Sequence, residues 1–312
     1  MKPFAFVFPG QGSQSVGMLD AWGDHPAVVA TLAEASEALK EDIGALIKSG
    51  PKEQLDLTAN TQPVMLTAAI ACYRAWRAEG GDAPQAVAGH SLGEYSALVA
   101  AGALTLTQAV PLVRLRAQAR QEAVPVGVGA MAAILGLDAA VVVEGCQEAA
   151  ATSGEVVEAA NFNDPKQIVI AGTKAGVDAA CEVLKAKGAK RALPLAVSAP
   201  FHSSLMKPAA ERLKVALEGV ALQSPTIAVV NNIDVSAPTG VAEIKDALYR
   251  QAFGPVRWVE VVAALKARGL AHIIECGPGK VLSGMVKRID ADLQSATVLD
   301  PASLQQTKAL LA

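Results

Sequence analysis

Residues 86–102, Ala86-Val87-Ala88-Gly89-His90-Ser91-Leu92-Gly93-Glu94-Tyr95-Ser96-Ala97-Leu98-Val99-Ala100-Ala101-Gly102, decide the fold. Ala86–Gly89 reads as a short apolar strand running into the turn His90-Ser91, and Leu92–Ala101 as a helix that Gly102 ends. Within it, Gly89-His90-Ser91-Leu92-Gly93 matches G-x-S-x-G. A serine on a sharp strand-to-helix turn needs small neighbours two residues to either side, so that the backbone closes without side-chain clashes. The helix start then aims unpaired N–H groups and a positive dipole end at the site, which suits the oxyanion formed when a carbonyl is attacked. Ser91 is therefore the candidate nucleophile. The motif alone does not separate a hydrolase from a transferase.

Outward from this turn, short apolar runs alternate with longer helical patterns, the signature of an α/β protein. Phe4–Phe8 reads as a strand followed by the loop Pro9-Gly10-Gln11-Gly12-Ser13-Gln14, and Pro26–Lys48 and Pro63–Glu79 read as helices. After Pro125-Val126-Gly127-Val128-Gly129 the character changes. A strand (Ala130–Leu135), a helix (Asp138–Ala151), two strands (Val156–Asn161 and Gln167–Ala171), a helix (Ala175–Lys187) and a strand (Arg191–Val197) follow in turn. That β-α-β-β-α-β order is ferredoxin-like. The expected architecture is a large α/β domain with a parallel sheet, residues 1–127 and 199–312, carrying a small insert at 128–198 that hands the chain back near Ser198. Beyond it, Thr226–Asn231 and His272–Cys276 read as strands, and Val241–Arg250 and Val259–Arg268 as helices.

Bulk properties exclude several classes. Of the 312 residues 52% are hydrophobic and only 4% aromatic, so Ala, Val and Leu must fill the core. A net charge of −3 argues against a general nucleic-acid binder. The apolar stretch Val87–Leu104 is broken by His90, Ser91 and Glu94, short of the roughly 20 residues a bilayer requires. The run Phe4–Phe8 ends at Pro9-Gly10, too short for the roughly 7–15 residues of a secretory core. Cys72, Cys146, Cys181 and Cys276 are scattered with no CxxC pair, which fits a reducing cytoplasm and no metal site. Without a coiled coil or exposed apolar stripe, a monomer is the default.

A serine needs a base at neutral pH. Of four histidines, His90 should point away from the turn, His25 suits a cap before Pro26, and His272 falls in an apolar strand pattern. His202, in Ser198-Ala199-Pro200-Phe201-His202-Ser203-Ser204 at the domain junction, is the remaining candidate. Arg114 and Arg116 lie on the helical stretch Ala109–Ala123, where a solvated face is the default. A guanidinium in a pocket would instead fork a substrate carboxylate through two parallel N–H donors. The loop Gly10-Gln11-Gly12 does not complete G-x-G-x-x-G, since Ser15 takes the last place. Gly277-Pro278-Gly279-Lys280 is no P-loop, because Val281 replaces the Ser/Thr.

Taken together, several blocks resemble the malonyl-CoA:acyl carrier protein transacylase family of fatty acid synthesis. They are Phe8-Pro9-Gly10-Gln11-Gly12-Ser13-Gln14, Gly89-His90-Ser91-Leu92-Gly93-Glu94-Tyr95, Gln121-Glu122-Ala123-Val124-Pro125, Pro200-Phe201-His202, Val229-Val230-Asn231-Asn232, Pro255-Val256-Arg257-Trp258 and Glu275-Cys276-Gly277-Pro278-Gly279-Lys280-Val281-Leu282. The resemblance spans essentially the whole chain and implies a hydrolase-like α/β domain with a ferredoxin-like insert. It implies Ser91 as nucleophile, His202 as base, Arg116 as the grip on the malonyl carboxylate, and the Gln11 and Leu92 amides as oxyanion donors. It further implies that the main-chain carbonyl of Gln251 orients the histidine in place of an aspartate, and that Gln62, Asn161 and Asn163 face the cleft. The substrates it implies are malonyl-CoA and holo acyl carrier protein, with no cofactor. Phe201 is expected to crowd the α-carbon of the acyl group and disfavour methylmalonyl. The basic run Lys185, Lys187, Lys190 and Arg191 is either a solvated helix end or a docking patch for the acidic carrier protein. Rival readings are a serine hydrolase of acyl thioesters, a non-catalytic carrier-binding scaffold, and the same transfer serving polyketide synthesis or malonate decarboxylation. Against the hydrolase, His202 stands two-thirds along the chain with a long α/β tail behind it.

Overall fold

The computed structural model describes residues 1–197 and 199–312; Ser198, where the insert was expected to return the chain, lies outside the described residues. A five-stranded sheet is built from β1 (Phe4–Phe8), β2 (Ala86–Gly89), β7 (Ala228–Val230), β8 (His272–Cys276) and β9 (Gln294–Val298). Its order is β7-β2-β1-β8-β9, and every pairing is parallel. A four-stranded antiparallel sheet, in the order β4-β5-β3-β6, is built from β3 (Gly129–Leu135), β4 (Val157–Asp164), β5 (Gln167–Thr173) and β6 (Arg191–Pro194). The α/β expectation with a parallel sheet holds, and the second sheet is the small antiparallel one.

Strand β1 shows why the first five apolar residues sit where they do. Successive side chains point to opposite faces. Phe4, Phe6 and Phe8 accordingly enter one core with the helix Thr58–Ala78, while Ala5 and Val7 enter the other with the helix Trp258–Ala267. Phe4 and Phe6 meet Trp76 edge-on at 5.9 and 5.5 Å. The helix Thr58–Ala78 is buried along most of its length, and its run of alanines lets it lie close against the sheet.

The small sheet follows the same alternation. Ala132 and Ile134 of β3 pack beneath the helices Ala139–Ser153 and Lys174–Ala186, whereas Met131 and Ala133 turn toward Phe201 and Met206. Some boundaries differ from expectation. The helix read over Pro26–Lys48 is two, Pro26–Leu39 and Ile43–Ser49, because Lys40 turns left-handed (φ 55°) and the Asp42 carboxylate caps the second by accepting from Ala45 N at 2.8 Å. β4 runs on to Asp164, past Asn161, where the strand was expected to end. β9 and the helices Lys207–Glu218, Val281–Ile289 and Pro301–Leu311 were not singled out by periodicity.

Candidate active site

The turn between β2 and the helix Gly93–Ala100 is closed by contact. A Cβ on Gly89 would lie 1.8 Å from the carbonyl carbon of Gly93, and one on Gly93 would lie 2.1 Å from the Phe8 carbonyl oxygen. Ser91 is held left-handed at φ 51°, a conformation that costs a non-glycine residue roughly 1–2 kcal/mol. The surroundings over-determine it. Asn232, just past β7, accepts from Ser91 N at 2.8 Å and donates to the Gly89 carbonyl at 2.7 Å. Gln251 Nε2 donates to the Ser91 carbonyl at 3.0 Å.

Ser91 Oγ lies 2.6 Å from His202 Nε2. The other ring nitrogen, Nδ1, faces the carbonyls of Gln251 and Gly254, each at 3.1 Å. Carbonyls only accept, so Nδ1 carries the proton and the Nε2 lone pair faces the serine hydroxyl. His202 is 3% exposed, and burial together with the nearby Arg120 and Arg116 charges holds its pKa well below the ordinary histidine value. The imidazole is thus neutral, and free to take a proton, at pH 7.

Arg116 is 1% exposed, so the solvated-face default fails for it. Its Nη2 donates to Ser91 Oγ and to Gln251 Oε1, each at 3.1 Å, and Nη1 donates to Gln62 Oε1 at 2.7 Å. Arg114, two residues earlier, turns outward to a bidentate pair with Glu41 at 2.9 and 2.6 Å. Among the described residues, the only carboxylate that reaches into this network is Glu94, 2% exposed, which accepts from Asn232 N at 2.9 Å and Gln251 Nε2 at 3.0 Å. Burial raises its pKa to about 7.

These groups open into a cleft of about 580 Å³ between the two sheets. Gln11, Leu92, Asn161, Asn163 and Phe201 all line it. Gln11 is exposed and its side chain reaches Thr58 Oγ1 at 3.2 Å. Among the described residues, the main-chain N–H groups of Gln11 and Leu92 have no acceptor. Asn163 Oδ1 lies 2.8 Å from His90 Nε2, so the His90 ring points toward β4 rather than toward Ser91 Oγ. Asn161 Oδ1 is buried without a partner among the described residues. Lys190 and Arg191 lie away from this cluster, exposed at the start of β6, while Lys185 and Lys187 are paired with Glu182 and with Glu144 and Glu148.

Sequence reasoning missed Asn232, the Glu94 carboxylate, the Gly254 carbonyl, the side-chain role of Gln251 and Arg120. Asn232 and Glu94 stand inside blocks already singled out, but what they bind depends on β7 lying beside β2.

The acyl transferase domain model matches residues 5–307. The malonyl CoA-acyl carrier protein transacylase of Escherichia coli K12 is 52% identical over 97% of this chain and 98% of its own. The Bacillus subtilis protein of the same name is 47% identical over 98% and 96%. Among solved structures, an acyl-carrier-protein S-malonyltransferase from Burkholderia pseudomallei is 65% identical with a TM-score of 0.96, covering 98% of this chain and 99% of its own. A malonyl-transacylase solved in complex with a type II polyketide acyl carrier protein is 50% identical, with a TM-score of 0.95 and 98% coverage of both chains. This chain belongs to the malonyl CoA-acyl carrier protein transacylase family of acyl transferases.

Proposed function

We propose that this enzyme moves malonyl from malonyl-CoA to the phosphopantetheine thiol of acyl carrier protein, through an ester on Ser91, in fatty acid synthesis. The observation that carries the reading is a buried guanidinium 3.1 Å from a serine that is itself 2.6 Å from a neutral histidine. Nucleophile, base and carboxylate receptor thus meet at one atom.

His202 Nε2 takes the Ser91 proton as Oγ attacks the thioester carbonyl. The Gln251 and Gly254 carbonyls hold the imidazolium that forms, in the place an aspartate occupies in a triad. The N–H groups of Gln11 and Leu92 receive the oxyanion, each donor contributing about 2.7–4 kcal/mol. CoA leaves as the thiol with the proton from His202. Arg116 exchanges its bond to Ser91 Oγ for the malonyl carboxylate, Gln62 and Gln251 fixing its orientation. The carrier thiol then gives its proton to His202 and attacks the ester, and Ser91 Oγ leaves with that proton, in ping-pong order. No step asks for a cofactor.

Phe201, 8% exposed on the cleft wall, is the residue we assign to discrimination at the acyl α-carbon. Phe201→Ser should raise the methylmalonyl-to-malonyl loading ratio, and an unchanged ratio removes that assignment. We assign carrier docking to Lys190 and Arg191, which sit exposed beside the exposed Leu193 and Leu195. The four buried, free cysteines fit a reducing cytoplasm, and no described helix is long and apolar enough to cross a membrane. We take the monomer as the working unit. Transfer onto a polyketide carrier is the second reading, favoured by the 50%-identical relative solved with such a carrier; comparing discharge onto the two carrier types separates them.

The test is to incubate the protein with malonyl-CoA alone and record intact mass and peptide maps for wild type and Ser91→Ala. A malonyl adduct on Ser91 that is absent from the variant and discharges onto holo carrier protein is the expected result. Free malonate accumulating without carrier would mean a hydrolase, and no adduct with no CoA release would leave only a binding scaffold.

A further inference from the structure

The helix Leu106–Glu122 carries a second buried guanidinium that the mechanism above does not use. Arg120 stands one turn beyond Arg116, on the same face, and is 3% exposed at the cleft wall. Its Cζ lies 4.4 Å from the centroid of the Phe201 ring, so an aromatic ring covers the guanidinium. That contact leaves its N–H donors unspent. Nε and Nη2 are buried without a hydrogen-bond partner, and Arg120 makes no ion pair among the described residues. The charged and titratable groups bearing on it are Arg116, His202 and Tyr95, none of them a carboxylate. Burial and the Arg116 charge push its pKa well below the ordinary arginine value, which is the mark of a cation missing its counterion.

Arg116 is partly committed, Nε being the one nitrogen of its guanidinium buried without a partner among the described residues. Its Nη2 is already shared between Ser91 Oγ and Gln251 Oε1, and Nη1 is bonded to Gln62. Two cations one helical turn apart, each with buried donors unspent, call for an anion from outside the chain. We propose that Arg120 is a second substrate-binding residue, and that the carboxylate of the acyl group bound at Ser91 is shared between Arg116 and Arg120. This rests on the malonyl reading above and deepens it: preference for carboxyacyl over plain acyl groups is set by a pair of guanidinium groups. The phosphates of CoA are the other anion the substrate brings, and a plain acyl-CoA carries them too.

The experiment measures formation of the Ser91 acyl adduct from malonyl-CoA and from acetyl-CoA, for wild type, Arg116→Ala, Arg120→Met and Arg120→Lys. Arg120→Met keeps the length and apolar contact with Phe201 while removing the charge; its unfolding midpoint is recorded alongside, and Arg120→Lys, which keeps charge without the fork, serves if the Met variant does not fold. The expected result is a fall in malonyl kcat/KM of about ten- to a hundredfold in Arg120→Met, with acetyl loading changed less than about threefold and the lysine variant between. Equal losses with both thioesters would assign Arg120 to the CoA phosphates or to His202 and overturn the proposal, as would no loss with either. If wild type forms no malonyl adduct, the malonyl reading itself fails. If Arg116→Ala loses malonyl selectivity and Arg120→Met and Arg120→Lys do not, that reading stands and this one falls.

Discussion

The two sheets divide the work of the site unequally. Every residue of β1 is fully buried and the strands beside it are covered on both faces. The Ser91 turn at the end of β2 is clamped by glycines at which a Cβ would have no room. In the antiparallel sheet, β6 is largely exposed, and one face of β3 and β5 looks into the cleft through Met131, Ala133 and Val169. One sheet holds Ser91 on a turn of the backbone; the other lines the cleft with side chains. Substitutions in the first should therefore be nearly all-or-none, and those in the second graded.

The sharpest break would come from His202→Ala, which should lower acyl-serine formation on the order of 10⁴-fold or more in stopped-flow loading. A loss under a hundredfold would mean that the 2.6 Å contact with Ser91 is not the path of the proton. Next, Gly93→Ala places a Cβ 2.1 Å from the Phe8 carbonyl oxygen and should cost about 3 kcal/mol or more in urea unfolding, by forcing the elbow open. A folded, active Gly93→Ala would dissolve the contrast between the sheets. A smaller effect concerns pH. Because the folded pKa of His202 lies well below 6.5, loading kcat/KM should stay flat from pH 7.5 to 6, where an unshifted histidine would lose about fourfold. The same sign makes protonation of His202 oppose folding, so its contribution to stability falls as pH drops below 6.5. The smallest effect belongs to the exposed strand: Lys190→Glu with Arg191→Glu should raise carrier-protein KM severalfold at low salt, converge with wild type at high salt, and leave malonyl loading unchanged. An altered loading rate would tie β6 to the chemistry rather than to docking.

The same division decides what was legible in the sequence. The elbow could be read because its constraints are local, glycines two residues either side of a serine between an apolar strand and a helix. The β-α-β-β-α-β order over residues 129–194 was equally visible from periodicity, whereas the helix break at Lys40 was not, since a left-handed lysine leaves no compositional trace. Arg114 and Arg116 look alike in sequence, yet at about 100° per residue they leave the helix on nearly opposite sides. One meets Glu41 at the surface and the other the serine. Which side is inward depends on how the helix packs against its neighbours, information that does not reside in the helix itself. Asn232 was hidden for the same reason, being 141 positions from the amide it holds.

The isolated bridge between Asn161 and Val256 gives the cleft a mechanical property. Phe162 N donates to the Val256 carbonyl at 2.9 Å and Val256 N to the Ala160 carbonyl at 2.8 Å. Arg257 N then donates to the carbonyl of Asn232 at 3.3 Å, and Asn232 holds the Ser91 amide. The small sheet and Ser91 are thus joined by a chain of backbone hydrogen bonds that ends in the Asn232 side chain. The gap between them is gauged by peptide geometry, stiff to about the tolerance of a hydrogen bond, and the length of the acyl group that fits is a dimension of the chassis as much as of its lining.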